Sequence, residues 1–199
     1  MANDQVLTKE AILDAAEQVL RRYGPDKTSV VDIAKALQVS HGTLYRHFPS
    51  KTALREAVTE RWLQQSVAEP LSAIIEKQHS DADEALHMWL KTLIEIKRSA
   101  SLNDPEMFAM YAAVTLDATA IIAEHIDSLT GQIEVLLERG KVSGAFRYDQ
   151  PADRLARAVF SATAKFHHPA HAAEWTGESA DEEFGSLWKL LLSGLASSK

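Results

Sequence analysis

Between Thr28 and Lys51, two short stretches with helical apolar spacing are separated by only three residues, and few folds accommodate that. The first opens at Ser29, three residues ahead of Asp32 in capping-box spacing, and turns Ile33, Ala34 and Leu37 inward. Gln38, Val39 and Ser40 make the turn. The second runs from about His41 to His47, with Ser40 as its cap. Ile33, Ala34, Leu37, Val39 and Leu44 form an apolar set that locks the two helices together, with small Ala34 where they cross closely. This is the geometry in which one helix braces while the next enters a DNA groove.

The remaining sequence is helical in period almost throughout. Ile12, Ala16, Val19, Leu20 and Tyr23 predict a first helix with Thr8 as cap and Gly24-Pro25 as stop. A long helix is expected from Ser50 through Leu54, Val58 and Trp62 to about Gln78. Others are expected at about 82–99, around Met107–Tyr111, from about Leu116 to Lys141, from Pro151 through Phe166, and at about 181–195. No alternating strand pattern and no internal repeat is present. The expected fold is all-α: a three-helix DNA-binding module over residues 1–51 and a helical ligand-binding and dimerisation domain over 52–199.

Charge is distributed unevenly. The chain carries a formal −7, but residues 1–55 hold eight Lys/Arg against six acids, a local +2, and the other 13 basic and 22 acidic residues leave −9 beyond it. DNA affinity depends on local phosphate neutralisation, so the total does not oppose it. With no cysteine, thiolate nucleophiles and Cys-based zinc sites are excluded. No 18-residue apolar run and no signal-peptide core are present, so a cytoplasmic protein without membrane association is expected.

The outer side of the second short helix is nearly stripped of apolar residues. His41, Gly42, Thr43, Tyr45, Arg46 and His47 are suited to phosphates, base edges and thymine methyls, and Lys51 adds a charge at the start of the next helix. Ser-x-Gly-Thr-Leu-Tyr-x-His-Phe-x-Ser-Lys, preceded by a Thr/Ser-start helix reading Asp-Ile-Ala, resembles the DNA-binding region of the TetR family over residues 8–55. The resemblance implies phosphate contacts near Ser29, with His41, Gly42, Thr43, Tyr45 and His47 facing the groove, Tyr45 on a phosphate and Lys51 on the backbone; Ser40 and Arg46 complete the candidate DNA-binding set. It also implies a homodimer, a palindromic double-stranded DNA operator, a small-molecule effector and no cofactor. Val31 and His41 stand where many members carry a basic residue.

The helical body offers further candidates. Trp62, Trp89, Met107, Met110, Tyr111, His125 and Phe166 suit an adaptable apolar effector pocket, although each type is more often plain core. His125, on a helix with Ile121, Ile122, Ile126 and Leu129, either orients a ligand or is a satisfied core histidine. Leu155 and Val159, with Leu187, Trp188, Leu191 and Leu195, are the candidate dimer contacts on the last two helices. His167, His168 and His171 cluster, but Pro169 disturbs the helix that would align them, so no metal is expected. No catalytic motif is present, and an enzyme is not expected. The alternative is a helical small-molecule carrier with a vestigial helix-turn-helix.

Overall fold

The computed structural model describes residues 7–77, 81–117, 120–177 and 179–195. Among them are ten α-helices and no strand. The chain forms two compact units, one of residues up to Trp62 with Ala100–Ile121, the other of Leu63–Ser99 and the residues from Ile122 onward.

In the first unit, α1 (Lys9–Tyr23) starts where the Thr8 hydroxyl accepts the Ala11 amide at 3.1 Å. It ends at Gly24, whose φ of 80° strains any other side chain; a Cβ there would also lie 2.7 Å from Glu106 Oε2. Ile12, Ala16, Val19 and Leu20 are its buried face. Helix α2 (Val30–Ala36) has the expected reciprocal box: Ser29 Oγ accepts the Asp32 amide, and Asp32 Oδ2 accepts the Ser29 amide, each at 3.2 Å. The Ser29 hydroxyl also donates to that carboxylate, which holds Asp32 below the usual carboxylate range. Helix α3 (His41–His47) follows, then α4 (Lys51–Leu63), capped by the Ser50 hydroxyl on the Ala53 amide at 3.0 Å.

The turn between α2 and α3 is a Schellman motif. Val39 donates to the Ala34 carbonyl at 3.0 Å, across a Gln38 held at φ 57°. Gly is usual at such a position, and a side chain there costs about 1 kcal/mol. Two ion-paired arginines brace this unit: Arg61 meets Asp14 at 2.7 Å and Glu17 at 2.6 Å, and Arg21 meets Asp104 at 3.0 Å, just ahead of α7 (Pro105–Leu116).

After Leu63 the helix does not stay regular, contrary to the expected even run to Gln78. A π-helical turn, Gln64–Ala68, precedes α5 (Glu69–Glu76), and Gln78 lies outside the described residues. Pro70 explains the change: it cannot donate to the carbonyl four residues back, and its ring crowds that carbonyl.

Helix α6 (Ala82–Asn103) runs past its expected end near residue 99 and buries Leu86, Trp89, Leu90, Leu93 and Ile94. Trp89 donates to the Gln132 side chain at 2.9 Å, and Gln132 donates to the Ala68 carbonyl at 3.1 Å. Gln132 lies on α8 (Ala120–Val142), which starts later than expected. Gly140, near its end, seats Phe146: a Cβ would lie 2.1 Å from the ring. Helix α9 (Ala152–Ala162) stops short of Phe166, which sits in a 3₁₀ turn, Ala164–Phe166; a second turn, Pro169–Glu174, precedes α10 (Ala180–Leu195). Among the described residues no single helix is long and apolar enough to cross a membrane.

Candidate nucleic-acid interface

Helix α3 is anchored by one side chain and displays the rest. Leu44 is its buried residue, with Phe48 closing the end, while His41, Gly42, Tyr45 and Arg46 are exposed and Thr43 and His47 half-buried. Burying a leucine contributes about 1.5–3 kcal/mol, enough to hold a two-turn helix that would not persist alone. Its exposed face is ordered locally. The His41 and Tyr45 rings meet edge-on at 4.6 Å, Ser40 Oγ and Thr43 Oγ1 share a 2.7 Å hydrogen bond, and Arg46 reaches Thr43 at 3.4 Å. Ser40 also accepts the Thr43 amide, so its hydroxyl is engaged within the helix start. A Cβ at Gly42 would meet only Ser40 Oγ, at 4.0 Å, so this side of the helix is open to a close approach.

Ser29 and Lys51 lie apart in sequence but share one shallow cleft, lined also by Leu20, Ile33, Leu54 and Arg55. Sequence reasoning included the first two and missed Arg55. The available signal was its spacing, one helical turn after Lys51. Val31, where a basic residue is common among the sequences this stretch resembles, is 45% exposed and presents an isopropyl group to solvent.

The effector candidates divide between the units. Trp62, Met107, Met110 and Tyr111 belong to the first and are buried there, with the Trp62 and Tyr111 rings 5.5 Å apart. Burial pushes the Tyr111 hydroxyl up to about 12. Trp89, His125 and Phe166 belong to the second. Trp89 is fully buried, and Phe166 meets Phe184 edge-on at 5.5 Å. The His125 Nε2 is buried with no hydrogen-bond partner among the described residues. Burial, then the charge of Lys97, pushes its pKa down to about 3. Lys97 is itself 2% exposed, and burial pushes it down to about 7.

The candidate dimer residues are likewise of two kinds. Leu155, Val159 and Leu195 are buried by their own chain, and Trp188 stacks on His87 at 4.8 Å. Leu187, Trp188 and Leu191 are half-buried, and Leu190, which was not singled out, is 68% exposed on the same helix. The three clustered histidines have separate contacts. His167 lies 3.2 Å from both Thr163 Oγ1 and the Phe160 carbonyl, His168 caps a 3₁₀ turn, and His171 pairs with Glu174 at 2.8 Å. Among the described residues no group of three His, Asp or Glu side chains is placed to hold a metal ion.

Residues 12–58 match the family described as bacterial regulatory proteins, tetR family, and residues 82–188 match the tetracyclin repressor-like C-terminal domain. The chain belongs to the TetR family. It is a DNA-binding transcriptional regulator and not an enzyme. An HTH-type transcriptional repressor of Mycobacterium tuberculosis is 28% identical over 74% of this chain and 73% of its own length. The nucleoid occlusion factor SlmA of Actinobacillus pleuropneumoniae is 32% identical over 68% and 71%. Among solved structures, the regulator FadR of Bacillus subtilis in complex with stearoyl-CoA has the same fold, with a TM-score of 0.63 and 22% identity over 94% of this chain and 99% of that one. The match over residues 82–188 extends the likeness well beyond the stretch of residues 8–55 that carries it in the sequence motif.

Proposed function

We propose that this TetR-family protein is a ligand-responsive repressor that binds a palindromic operator as a homodimer. The observation that carries the reading is α3, a helix locked by Leu44 alone and presenting His41, Gly42, Tyr45 and Arg46 to solvent. Such a face has no role in the core of its own chain. It offers donors and an aromatic hydroxyl for phosphates and base edges. Ser29, Ser40, Thr43, His47 and Lys51 complete the DNA-contacting set, with Ser40 and Thr43 acting first to shape the helix start.

Dimerisation is assigned to α9 and α10. A two-fold protein presents two recognition helices to half-sites one turn of DNA apart, about 34–36 Å, or a multiple of it. The half-buried Leu187, Trp188 and Leu191 and the exposed Leu190 are among the side chains with apolar surface left to bury there. Residues 1–51 are read as the DNA-binding part, and residues 52–199 as the part that dimerises and senses the effector. That FadR, a neighbour in fold, is described in complex with stearoyl-CoA supports the reading that this protein answers to an effector. The helix that begins at Lys51 is the proposed route by which effector binding changes the separation of the recognition helices and releases DNA.

Selection from random-sequence duplex DNA tests the reading. The expected result is a palindromic winner bound by two chains; recovery of no preferred sequence would refute it. Addition of the effector, once found by ligand screening, is expected to weaken operator binding.

A further inference from the structure

Helices α1 and α4 of the first unit carry four arginines whose surroundings differ, and one of them, Arg22, lies over the Tyr23 ring at 5.2 Å. Arg21 and Arg61 are each committed to carboxylates, at 3.0 Å to Asp104 and at 2.7 and 2.6 Å to Asp14 and Glu17. Arg55 is not. Its Nε is buried and has no hydrogen-bond acceptor, and its guanidinium makes no ion pair among the described residues. A guanidinium carries five N–H donors in a planar fork and stays charged at any pH the protein meets.

Its position gives that unused fork a direction. Arg55 lies one turn beyond Lys51 on α4, so the two cations share a helix face. Both line the cleft that Ser29 borders from the start of α2. Lys51 and Ser29 are residues already assigned to the DNA backbone in the reading above. The cleft floor is apolar, formed by Leu20, Ile33 and Leu54, which would not draw a cation inward for its own sake. A half-buried arginine with an unsatisfied donor, next to a lysine and a hydroxyl at the DNA-facing start of a helix, is suited to a phosphodiester oxygen.

We propose that Arg55 is a phosphate anchor, acting with Lys51 and Ser29 to grip the DNA backbone outside the recognition helix. The inference rests on the DNA-binding reading and adds to it a second cation, on a helix that does not enter the groove. It also bears on Val31. The charge absent from the exposed side of α2 is offset by a cation on α4, whose cleft Val30 lines and Val31 does not.

The test is the salt dependence of binding to a random-sequence 30-bp duplex, followed by fluorescence anisotropy between 50 and 200 mM KCl. Each phosphate contact contributes about 0.9 to the slope of log affinity against log salt. Removing one therefore makes the loss of affinity over this fourfold salt range smaller by a factor of about 3.5. Arg55→Met, which keeps the aliphatic stem, is expected to show that reduction, and Arg55→Lys is expected to keep the parent slope. Lys51→Met serves as the reference contact, and the Lys51→Met/Arg55→Met pair is expected to lower the slope twice as far. Arg55→Gln is measured alongside, with thermal melting of every variant, so that a folding defect in one does not decide the outcome. A parent-like slope in the folded neutral variants would overturn the proposal, as would an Arg55→Lys variant that behaves like Arg55→Met. Failure of the parent itself to bind duplex at 50 mM KCl would instead overturn the DNA-binding reading.

Discussion

Histidines in the two units are used in opposite ways. In α3, His41 is exposed and His47 half-buried, on a helix that keeps one leucine for itself and gives the rest to solvent. In the second unit, His125 and His167 are enclosed, and burial with the charge of Lys97 holds both near 3. Polar side chains in the first setting cost the fold little and are free to meet a partner. In the second they are enclosed in the neutral form, and their protonation opposes folding. One chain therefore contains a surface whose loss affects binding and an interior whose titration affects the fold.

Acidification separates the two most strongly. An imidazole whose folded pKa is depressed stabilises fully above its unfolded value of about 6.5, and that contribution is lost as pH falls from there towards 3. At pH 5 each of His125 and His167 is expected to cost about 2 kcal/mol, or about 4 kcal/mol together. Urea melts at pH 7 and pH 5 check this, and an equal midpoint at both would contradict the enclosed state of the pair. Lys97 acts in a different window. Its folded pKa of about 7 lies below the ordinary 10.5, so stability rises as pH climbs between the two.

Within α3 the comparison can be made between neighbours. Leu44→Ala is expected to destabilise the protein by about 3 kcal/mol, because a side chain 1% exposed leaves a cavity. Tyr45→Ala, at 39% exposure, is expected to change stability by less than about 0.5 kcal/mol while weakening DNA binding about tenfold. Melts and duplex titrations on the same two proteins decide the matter, and a Tyr45→Ala variant that binds DNA like the parent would remove that residue from the interface.

Smaller effects belong to the helix ends. Ser29→Ala removes half of the capping box and is expected to cost about 1 kcal/mol in a urea melt. Gln38→Gly is expected to stabilise by about 0.5 kcal/mol, relief at φ 57° being partly offset by the greater freedom of glycine in the unfolded chain.

The helix-turn-helix was legible because its boundaries are set by local chemistry: Thr8, Ser29 and Ser40 cap where their hydroxyls reach back to a free amide. The left-handed Gln38 was not, since glutamine carries no signal for that conformation. The break in the long helix had a visible cause in Pro70, but not its form, because a π turn depends on how neighbouring packing absorbs the extra residue. Lys97 was hidden by its type. It follows Leu93 by four residues and Ile94 by three, a spacing that belongs to the buried face, yet a lysine there reads as the edge of an amphipathic helix. Arg55 was hidden because its neighbours come from α1 and α2, which only the tertiary structure brings to it.

The corner after α8 has a consequence for how this chain can change. Phe146 rests on the bare backbone of Gly140, and its amide donates to the Gly140 carbonyl at 3.0 Å. The next residue, Arg147, donates from its amide to the Leu195 carbonyl at 2.8 Å. Any single step at position 140 evicts the ring, and any shortening of the ring at 146 leaves a hollow over the glycine. Mutationally, two sites six residues apart behave as one locus: the corner can be rebuilt by paired replacement but has no path through either change alone.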